Sequence, residues 1–136
     1  MEKYILESDI NVICVQAGSF PEGIEEAHQK LHAIIPFSMN RRYFGISRPV
    51  NGVIVYHAAA EEIKDGEAEK LKYPGFQIEK GEYICITIEN FMQDIQTISH
   101  AFDRLTAHKD IDPKGYFVEW YLNGKDVRCM IKLRSQ

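Results

Sequence analysis

The chain has 136 residues, enough for one domain with a substantial core. Its hydrophobic fraction of 45% and its charged fraction of 26% are typical of globular domains. The net charge is −4 and the longest basic run is Arg41-Arg42, which excludes the basic surface that nucleic-acid binding needs. We therefore expect no direct contact with DNA or RNA.

The N-terminal segment carries acidic residues and lacks a long apolar run, which predicts neither a signal peptide nor a membrane span. Three cysteines, Cys14, Cys85 and Cys129, lie in apolar stretches without the spacing of a metal site. An odd number of such residues indicates buried, reduced thiols. We expect a cytoplasmic protein.

The first half of the chain predicts the order strand, helix, strand, turn, strand. Ser19 and Glu22 have the spacing of a capping box, and apolar residues recur behind them with helical periodicity up to Pro36. Asn51-Gly52 is a strong signal for a hairpin turn. The predicted bounds are 3–17 for the first strand, with a possible break at 8–11, 20–35 for the helix, and 42–48 and 53–60 for the hairpin strands, the first of them stopped by Pro49.

The second half predicts the same order after a charged connection at 61–72. Asn90 and Gln93 repeat the spacing of cap and acceptor, and Asn123-Gly124 repeats the hairpin turn. The predicted bounds are 76–78 for a short extended segment, 84–88 for a buried strand, 91–108 for the helix, and 116–122 and 126–133 for the hairpin strands.

The two halves match in sequence pattern, with Phe20 falling on Phe91 and the two Asn-Gly turns at a similar separation. A hairpin with one helix cannot bury its apolar face alone. We therefore expect two repeats, about 1–62 and 76–136, that share a sheet or pack as a pseudo-dimer. Helices would cover one face, and the other face or the seam between the halves would be free to form a concavity.

The segment 116–122 (YFVEWYL) has the composition of a strand, with one carboxylate among aromatic rings. Because side chains alternate along a strand, Phe117, Glu119 and Tyr121 share one face, and Trp120 points to the other, where core packing is expected. Glu119 is either a solvent-facing strand residue or the charged end of an aromatic-walled pocket. In such a pocket burial would raise its pKa, and ring faces would attract a lipophilic cation.

Four segments in succession resemble those of a known family. They are 45–49 (GISRP), 56–61 (YHAAAE), 76–83 (FQIEKGEY) and 117–121 (FVEWY), the last followed by a final strand. Their order and spacing resemble the GyrI-like small-molecule-binding domain, the effector-binding module of AraC-type and MerR-type bacterial regulators, which also occurs alone. The resemblance covers essentially the whole chain.

The resemblance implies an α+β fold of tandem βαββ units, with an antiparallel sheet, two long helices on one face and a ligand cleft between the halves. It implies that a buried glutamate, here Glu119, meets cationic aromatic ligands. The last strand (130–133, MIKL) departs from the Ile-Pro-Val type of the family, which leaves the pocket little affected. The DNA-binding helices of the regulators are not found in this sequence, so we expect no transcription-factor activity of this chain itself.

Aromatic residues on several strands are candidates for the walls of the pocket, with phenol oxygens that orient a ligand. Ordinary core or cross-strand packing is the alternative for each of them. The candidate ligand-binding residues are Glu119, Tyr121, Phe117, Tyr43, Tyr56 and Tyr83.

Glu25, His28 and His32 lie on one side of the first predicted helix, in a row of the kind that binds metals. Apolar residues claim the core face of that helix, so we expect the row in water and predict no metal site. His57 is a weak candidate for a pocket donor and Arg48 for an anion contact. No nucleophile with an acid–base neighbour and no phosphate loop is visible, and no cofactor is expected.

The leading hypothesis is a multidrug-binding protein that captures hydrophobic or cationic aromatic small molecules. It would serve in xenobiotic sensing, sequestration or transcription regulation. Two alternatives follow from the resemblance. One is a hydrolase of electrophilic, ring-strained natural products that uses Glu119 to direct water. The other is a gyrase-interacting inhibitor protein, for which the partner is another protein.

Overall fold

The computed structural model describes residues 1–134 and has the α+β fold that the sequence predicts. The strands are β1 Glu2–Leu6, β2 Ile10–Gln16, β3 Tyr43–Val50, β4 Val53–Glu61, β5 Gly75–Ile78, β6 Gly81–Ile88, β7 Phe117–Tyr121 and β8 Val127–Lys132. The helices are α1 Ile24–Ile34, α2 Glu67–Leu71 and α3 Gln96–Thr106. All eight strands form one antiparallel sheet, in the order β1-β6-β8-β7-β3-β4-β2-β5.

The strand order is symmetric about the central pair β7–β3. Counted outward from that pair, β8 and β6 on one side match β4 and β2 on the other, and each hairpin follows the helix of its own half. The edge strands are exchanged, because β1 pairs with β6 and β5 pairs with β2. This arrangement places the boundary between the two groups of strands at the middle of the sheet, and we call this boundary the seam.

Helices α1 and α3 cover the same face of the sheet, one on each side of the seam. Leu31 of α1 is fully buried in a cluster with Ile13 and Ala58. Leu105 of α3 is fully buried in a second cluster with Cys129. Because side chains alternate along paired strands, Ala58 and Cys129 lie on the same face of the sheet. The central strands β3 and β7 lie between them, beneath the gap between the two helices.

The other face of the curled sheet is filled by a third apolar cluster. Phe44, Val118 and Met130 have no exposed surface there, and Trp120 packs against Phe44 with ring centroids 5.5 Å apart. The prediction of core packing for Trp120 agrees with this contact. Of the two places expected for a concavity, only the seam on the helical face is left.

Helix α1 begins at Ile24, four residues later than the predicted start at 20. Ser19 and Glu22 make no capping box, and no side chain caps the helix. Instead the backbone N–H of Gly23 donates to the carbonyl of Ser19 at 3.2 Å, so the segment before the helix is a tight turn. The residues that the capping pattern assigned to the start of the helix are therefore part of this tight turn instead.

Helix α3 begins at Gln96 rather than at 91, and residues Phe91–Gln93 form a single 3-10 turn. Asn90 has a left-handed backbone (φ 54°) that is incompatible with the predicted cap. Asp94 takes its place, because its carboxylate accepts a hydrogen bond from the backbone of Gln96 at 3.1 Å. Ile95 therefore precedes the helix and is exposed, although the sequence pattern assigned it to the core stripe.

Strand β3 continues through Pro49 to Val50 and ends at the Asn51-Gly52 turn. Both turn residues have positive φ (52° and 80°), as the predicted hairpin signal requires. Pro49 lies next to the hairpin end, where a missing N–H is tolerated, so it does not stop the strand. None of the helices within residues 1–134 has the length and apolar character needed to span a bilayer.

Candidate functional site

Glu119 lies at the centre of the sheet, on the helical face and on the seam. Its neighbours across the strands are Gly45 on β3 and Cys129 on β8. The residue is only 8% exposed, so it is not a solvent-facing strand residue. Alternation along β7 places Tyr121 beside it on the same face, as the sequence predicts.

Four polar side chains from three elements form a continuous hydrogen-bonded chain over the seam. Tyr121 Oη donates to Glu119 Oε1 at 2.6 Å. The Oη atoms of Tyr121 and Tyr56, the latter on β4, are 3.1 Å apart. His28 Nε2, on α1, lies 2.7 Å from Tyr56 Oη and 3.4 Å from Tyr121 Oη. We call Glu119, Tyr121, Tyr56 and His28 the polar chain.

Gly45 makes the space that the polar chain occupies. It lies between Glu119 on β7 and Ala58 on β4, and the phenol of Tyr56 leans over it. A Cβ at this position would lie 2.8 Å from Tyr56 Cζ and closer still to Tyr56 Oη, which real Cβ atoms do not tolerate. The glycine is therefore required by a close approach of a ring to the backbone.

Within residues 1–134, no cationic side chain forms an ion pair with Glu119. Over residues 1–134 the side-chain ion pairs are Arg41 with Glu67 and Arg42 with Glu61, both away from the seam. Burial raises the pKa of Glu119, and the hydrogen bond from Tyr121 opposes that shift. Burial and the nearby carboxylate raise the pKa values of both phenols well above their usual range, so both hydroxyls stay protonated.

His28 is held in its neutral form. Burial lowers its pKa to about 4, with a smaller contribution from His32 on the same helix. The neutral ring accepts at Nε2 if its proton is on Nδ1, and then Tyr56 donates to it. The polar chain thus has a carboxyl group at one end, an imidazole at the other, and two phenols between them.

We expect His28 to make the stability of the protein sensitive to acid. The unfolded state binds a proton at this residue below about pH 6.5, whereas the folded state does so only near pH 4. Stability should therefore fall as the pH drops from about 6.5 towards 4. Urea denaturation near pH 7 and pH 5 should show the native chain losing about 1–2 kcal/mol more than His28→Gln. His100→Gln, at an exposed position of α3, is the control, and equal losses in all three proteins would contradict the assignment.

Three of the predicted site residues come together, and three lie elsewhere. Glu119, Tyr121 and Tyr56 are in the polar chain. Tyr43 shares their face, but its hydroxyl accepts from the backbone of Ser38 at 2.9 Å and its ring stacks on Phe37.

Phe117 and Tyr83 are also held by other contacts. Phe117 stacks on Phe102 of α3, with ring centroids 4.8 Å apart, so it is part of the helix–sheet core. Tyr83 lies on the opposite face of the sheet from Glu119, because the pairing of β6, β8 and β7 and the alternation of side chains place it there. Its hydroxyl donates to the carbonyl of Glu79 at 2.6 Å.

Sequence reasoning missed His28 and Gly45. The row Glu25, His28 and His32 was expected in water, but only Glu25 is exposed. His28 belongs to the polar chain, and His32 packs against Tyr43 with ring centroids 5.1 Å apart, because this flank of α1 faces the seam. A helix that covers half of a sheet always has one flank that faces the middle of the sheet. This geometry could have indicated, from the sequence, that His28 lies near the seam.

An open cleft of about 410 Å³ borders the polar chain, between residues 16–20 and residues 52–56. Tyr56 lines this cleft and also belongs to the polar chain. Phe20 stacks on the ring of Tyr56 with centroids 6.0 Å apart and is partly exposed. The rings of Phe20 and Tyr56 therefore form an aromatic wall that leads from solvent towards the carboxylate.

The fold is shared with several solved structures. An integron cassette protein from the mobile metagenome of Vibrio cholerae superposes with a TM-score of 0.69 at 11% identity, over 98% of this chain and 95% of that chain. The protein SAV2435 bound to tetraphenylphosphonium gives 0.65 at 10% identity, over 99% and 95%. A hydrolase from Listeria innocua gives 0.62 at 12% identity, over 98% and 90%.

These similarities establish the fold of the chain. They carry no information on its function, because the sequence identities are only 10–12%. No protein-family profile matches the sequence. No curated protein matches it either. What the chain does must therefore be argued from the polar chain and its surroundings.

Proposed function

We propose that the chain is a GyrI-like binding protein for lipophilic aromatic cations, with Glu119 as the counter-charge. The observation that carries the proposal is a buried carboxylate at the centre of the fold, surrounded by aromatic groups and without a cationic partner in the part of the chain that the structure describes. A carboxylate in such a place costs several kcal/mol of desolvation when ionised. Perturbed groups of this kind concentrate at functional sites.

The surroundings favour a cation over an anion or a neutral compound. Tyr56, Tyr121 and Phe20 offer ring faces, each of which adds about 0.5–2 kcal/mol when a cation lies over it. The carboxylate is covered by the rings of the polar chain, and a ligand would approach it through the open cleft that Tyr56 and Phe20 border. A structural neighbour, SAV2435, was solved with the lipophilic cation tetraphenylphosphonium, which makes this compound a suitable probe.

Two isosteric probes test the proposal. Tetraphenylphosphonium and tetraphenylborate have nearly the same shape and apolar surface but opposite charge. Titration calorimetry should give a dissociation constant at least about tenfold lower for the cation, since a charge pair near 4 Å is worth on the order of 4 kcal/mol before desolvation. Equal affinities, or tighter binding of the borate, would remove the counter-charge role.

A hydrolase reading is the second candidate, and one observation favours it. Burial raises the pKa of Glu119, which lies within hydrogen-bond reach of Tyr121, and such a pair can donate and accept protons. Neighbours from Listeria innocua are described as hydrolases. Chromatography of an electrophilic cyclopropane incubated with the protein tests this, and turnover that is lost in Glu119→Gln would decide for catalysis.

A further inference from the structure

The polar chain joins an acid to a base through two hydroxyl groups. Glu119 is at one end, His28 at the other, and each link is short enough for a hydrogen bond. A hydroxyl donates one hydrogen bond and accepts another, so a row of hydroxyls can point in either direction. The row therefore has two complete hydrogen-bonding patterns.

In the first pattern the carboxylic acid of Glu119 donates to Tyr121, Tyr121 to Tyr56, and Tyr56 to neutral His28. In the second pattern protonated His28 donates to Tyr56, Tyr56 to Tyr121, and Tyr121 to the carboxylate of Glu119. The two patterns contain the same number of protons. One becomes the other when each hydroxyl passes its proton to the next group, which moves one proton from the acid to the base.

We propose that the site exchanges a proton for the cation it binds, and that the proton leaves Glu119 through Tyr121 and Tyr56 to His28 and then to solvent. The inference rests on the proposed function. The exchange balances, because one positive charge enters the seam and one leaves as a proton taken up by the buffer. A cation bound while the proton stayed would leave the buried seam with an uncompensated charge, which is costly.

The groups that face the polar chain supply no other counter-charge or proton. Cys129 faces Glu119 from β8, and its pKa is raised by burial, so the thiol stays neutral. Gly45 faces it from β3 and has no side chain. The titratable neighbours of His28 on α1 are His32, which carries no negative charge, and Glu25, which is exposed to solvent.

His28 is the suitable exit for the proton. Glu119 and Tyr56 are buried, with 8% and 1% of their surface exposed, whereas His28 on the flank of α1 is only partly buried. Its protonated form would be repelled by a cation in the seam, which drives the proton onward to water. The imidazole thus acts as a positioning group and a proton acceptor, without contact with the ligand.

Proton release upon binding of tetraphenylphosphonium tests the exchange. This cation has no titratable group, so calorimetry in buffers of different ionisation enthalpy counts protons from the protein alone. The count for the native chain should approach about one per cation below the raised pKa of Glu119 and decline above it. Where the count is near one, the affinity should weaken by up to about tenfold for each unit by which the pH falls. Glu119→Gln should release none and bind with an affinity independent of pH.

The route is tested by interrupting the chain. Tyr56→Phe and His28→Gln should keep the proton count but slow the release that a pH-indicator dye reports in stopped flow by tenfold or so, because the proton must wait for water to enter. Tyr43→Phe, on the same face but outside the polar chain, should match the native rate. Native-like rates in both interrupted variants would overturn the route.

The outcomes separate the two proposals. Binding of tetraphenylphosphonium without proton release between about pH 5 and 8 would overturn the exchange and leave the binding function standing. Absence of binding to the native chain would overturn the binding function and the exchange together.

Discussion

Replacing Glu119 by Gln should weaken the binding of tetraphenylphosphonium by about 10–100-fold and leave the protein folded. Glutamine keeps the volume and still accepts the hydrogen bond from Tyr121, but it carries no charge. The lost attraction is on the order of 4 kcal/mol for charges near 4 Å, and part of it is offset because the native carboxylate must be ionised and desolvated. The expected weakening of about 10–100-fold corresponds to a net loss of about 1–3 kcal/mol of binding free energy.

The same substitution should not destabilise the fold, which separates a ligand-binding role from a structural one. Because burial raises the pKa of Glu119, the folded state binds more protons at this residue than the unfolded state. The native chain therefore loses stability as the pH rises above about 4.5 and through the raised value. At neutral pH the Gln variant should be as stable as the native chain or more stable in urea denaturation.

Glu82→Gln is the matched control for both measurements, since Glu82 is an exposed glutamate on β6. It should change neither the dissociation constant nor the dependence of stability on pH. Tetraphenylborate should bind to Glu119→Gln at least as tightly as to the native chain, because the repulsion by the carboxylate is gone. A Gln variant that binds the cation with native affinity would contradict the counter-charge role.

The sequence was sufficient for the fold class and for part of the site. Once 116–122 is recognised as a strand, alternation alone puts Tyr121 on the face of Glu119 and Trp120 on the other. The repeat of strand, helix and hairpin then predicts two units that share a sheet or pack as a pseudo-dimer, with helices on one face. These conclusions depend on local periodicity, which a single sequence displays.

The convergence of side chains from different strands was not predictable, because it depends on register. Tyr56 reaches Glu119 because Gly45 pairs with Glu119 on one side and with Ala58 on the other. These pairings place Tyr56 on β4 and Glu119 on β7 on the same face of the sheet. Tyr83 lies on the opposite face through the register of β6 and β8. A slip of one residue in one of these pairings would move the tyrosine on that strand to the other face, and no local pattern reports such a slip.

The start of each long helix was the other failure, and its cause is also physical. The cap-and-acceptor spacing occurs by chance wherever hydroxyl or amide side chains precede acids and amides. At the first helix a turn closed by Gly23 competes with it, and at the second Asp94 is the better cap. Competition of this kind is decided by backbone geometry that the spacing does not contain.

Gly45→Ala is expected to disrupt the site from the backbone side. The added methyl group would overlap the phenol of Tyr56, which is held by Tyr121 and His28 and cannot move without breaking those hydrogen bonds. Overpacking of this kind costs about 1–3 kcal/mol of folding free energy. Displacement of Tyr56 should also weaken tetraphenylphosphonium binding by tenfold or so, since the aromatic wall next to Glu119 is altered.

Two further variants distinguish this mechanism from a general effect of alanine. Gly124→Ala is the control, because a Cβ there has no atom within 4 Å and the residue lies outside the cleft, so its stability and affinity should be native. Gly45→Ala combined with Tyr56→Phe should cost less stability than the two changes added together, since removal of the hydroxyl relieves the closest overlap. Strict additivity in urea denaturation would show that the methyl group acts elsewhere, and that Gly45 is not what makes room for the polar chain.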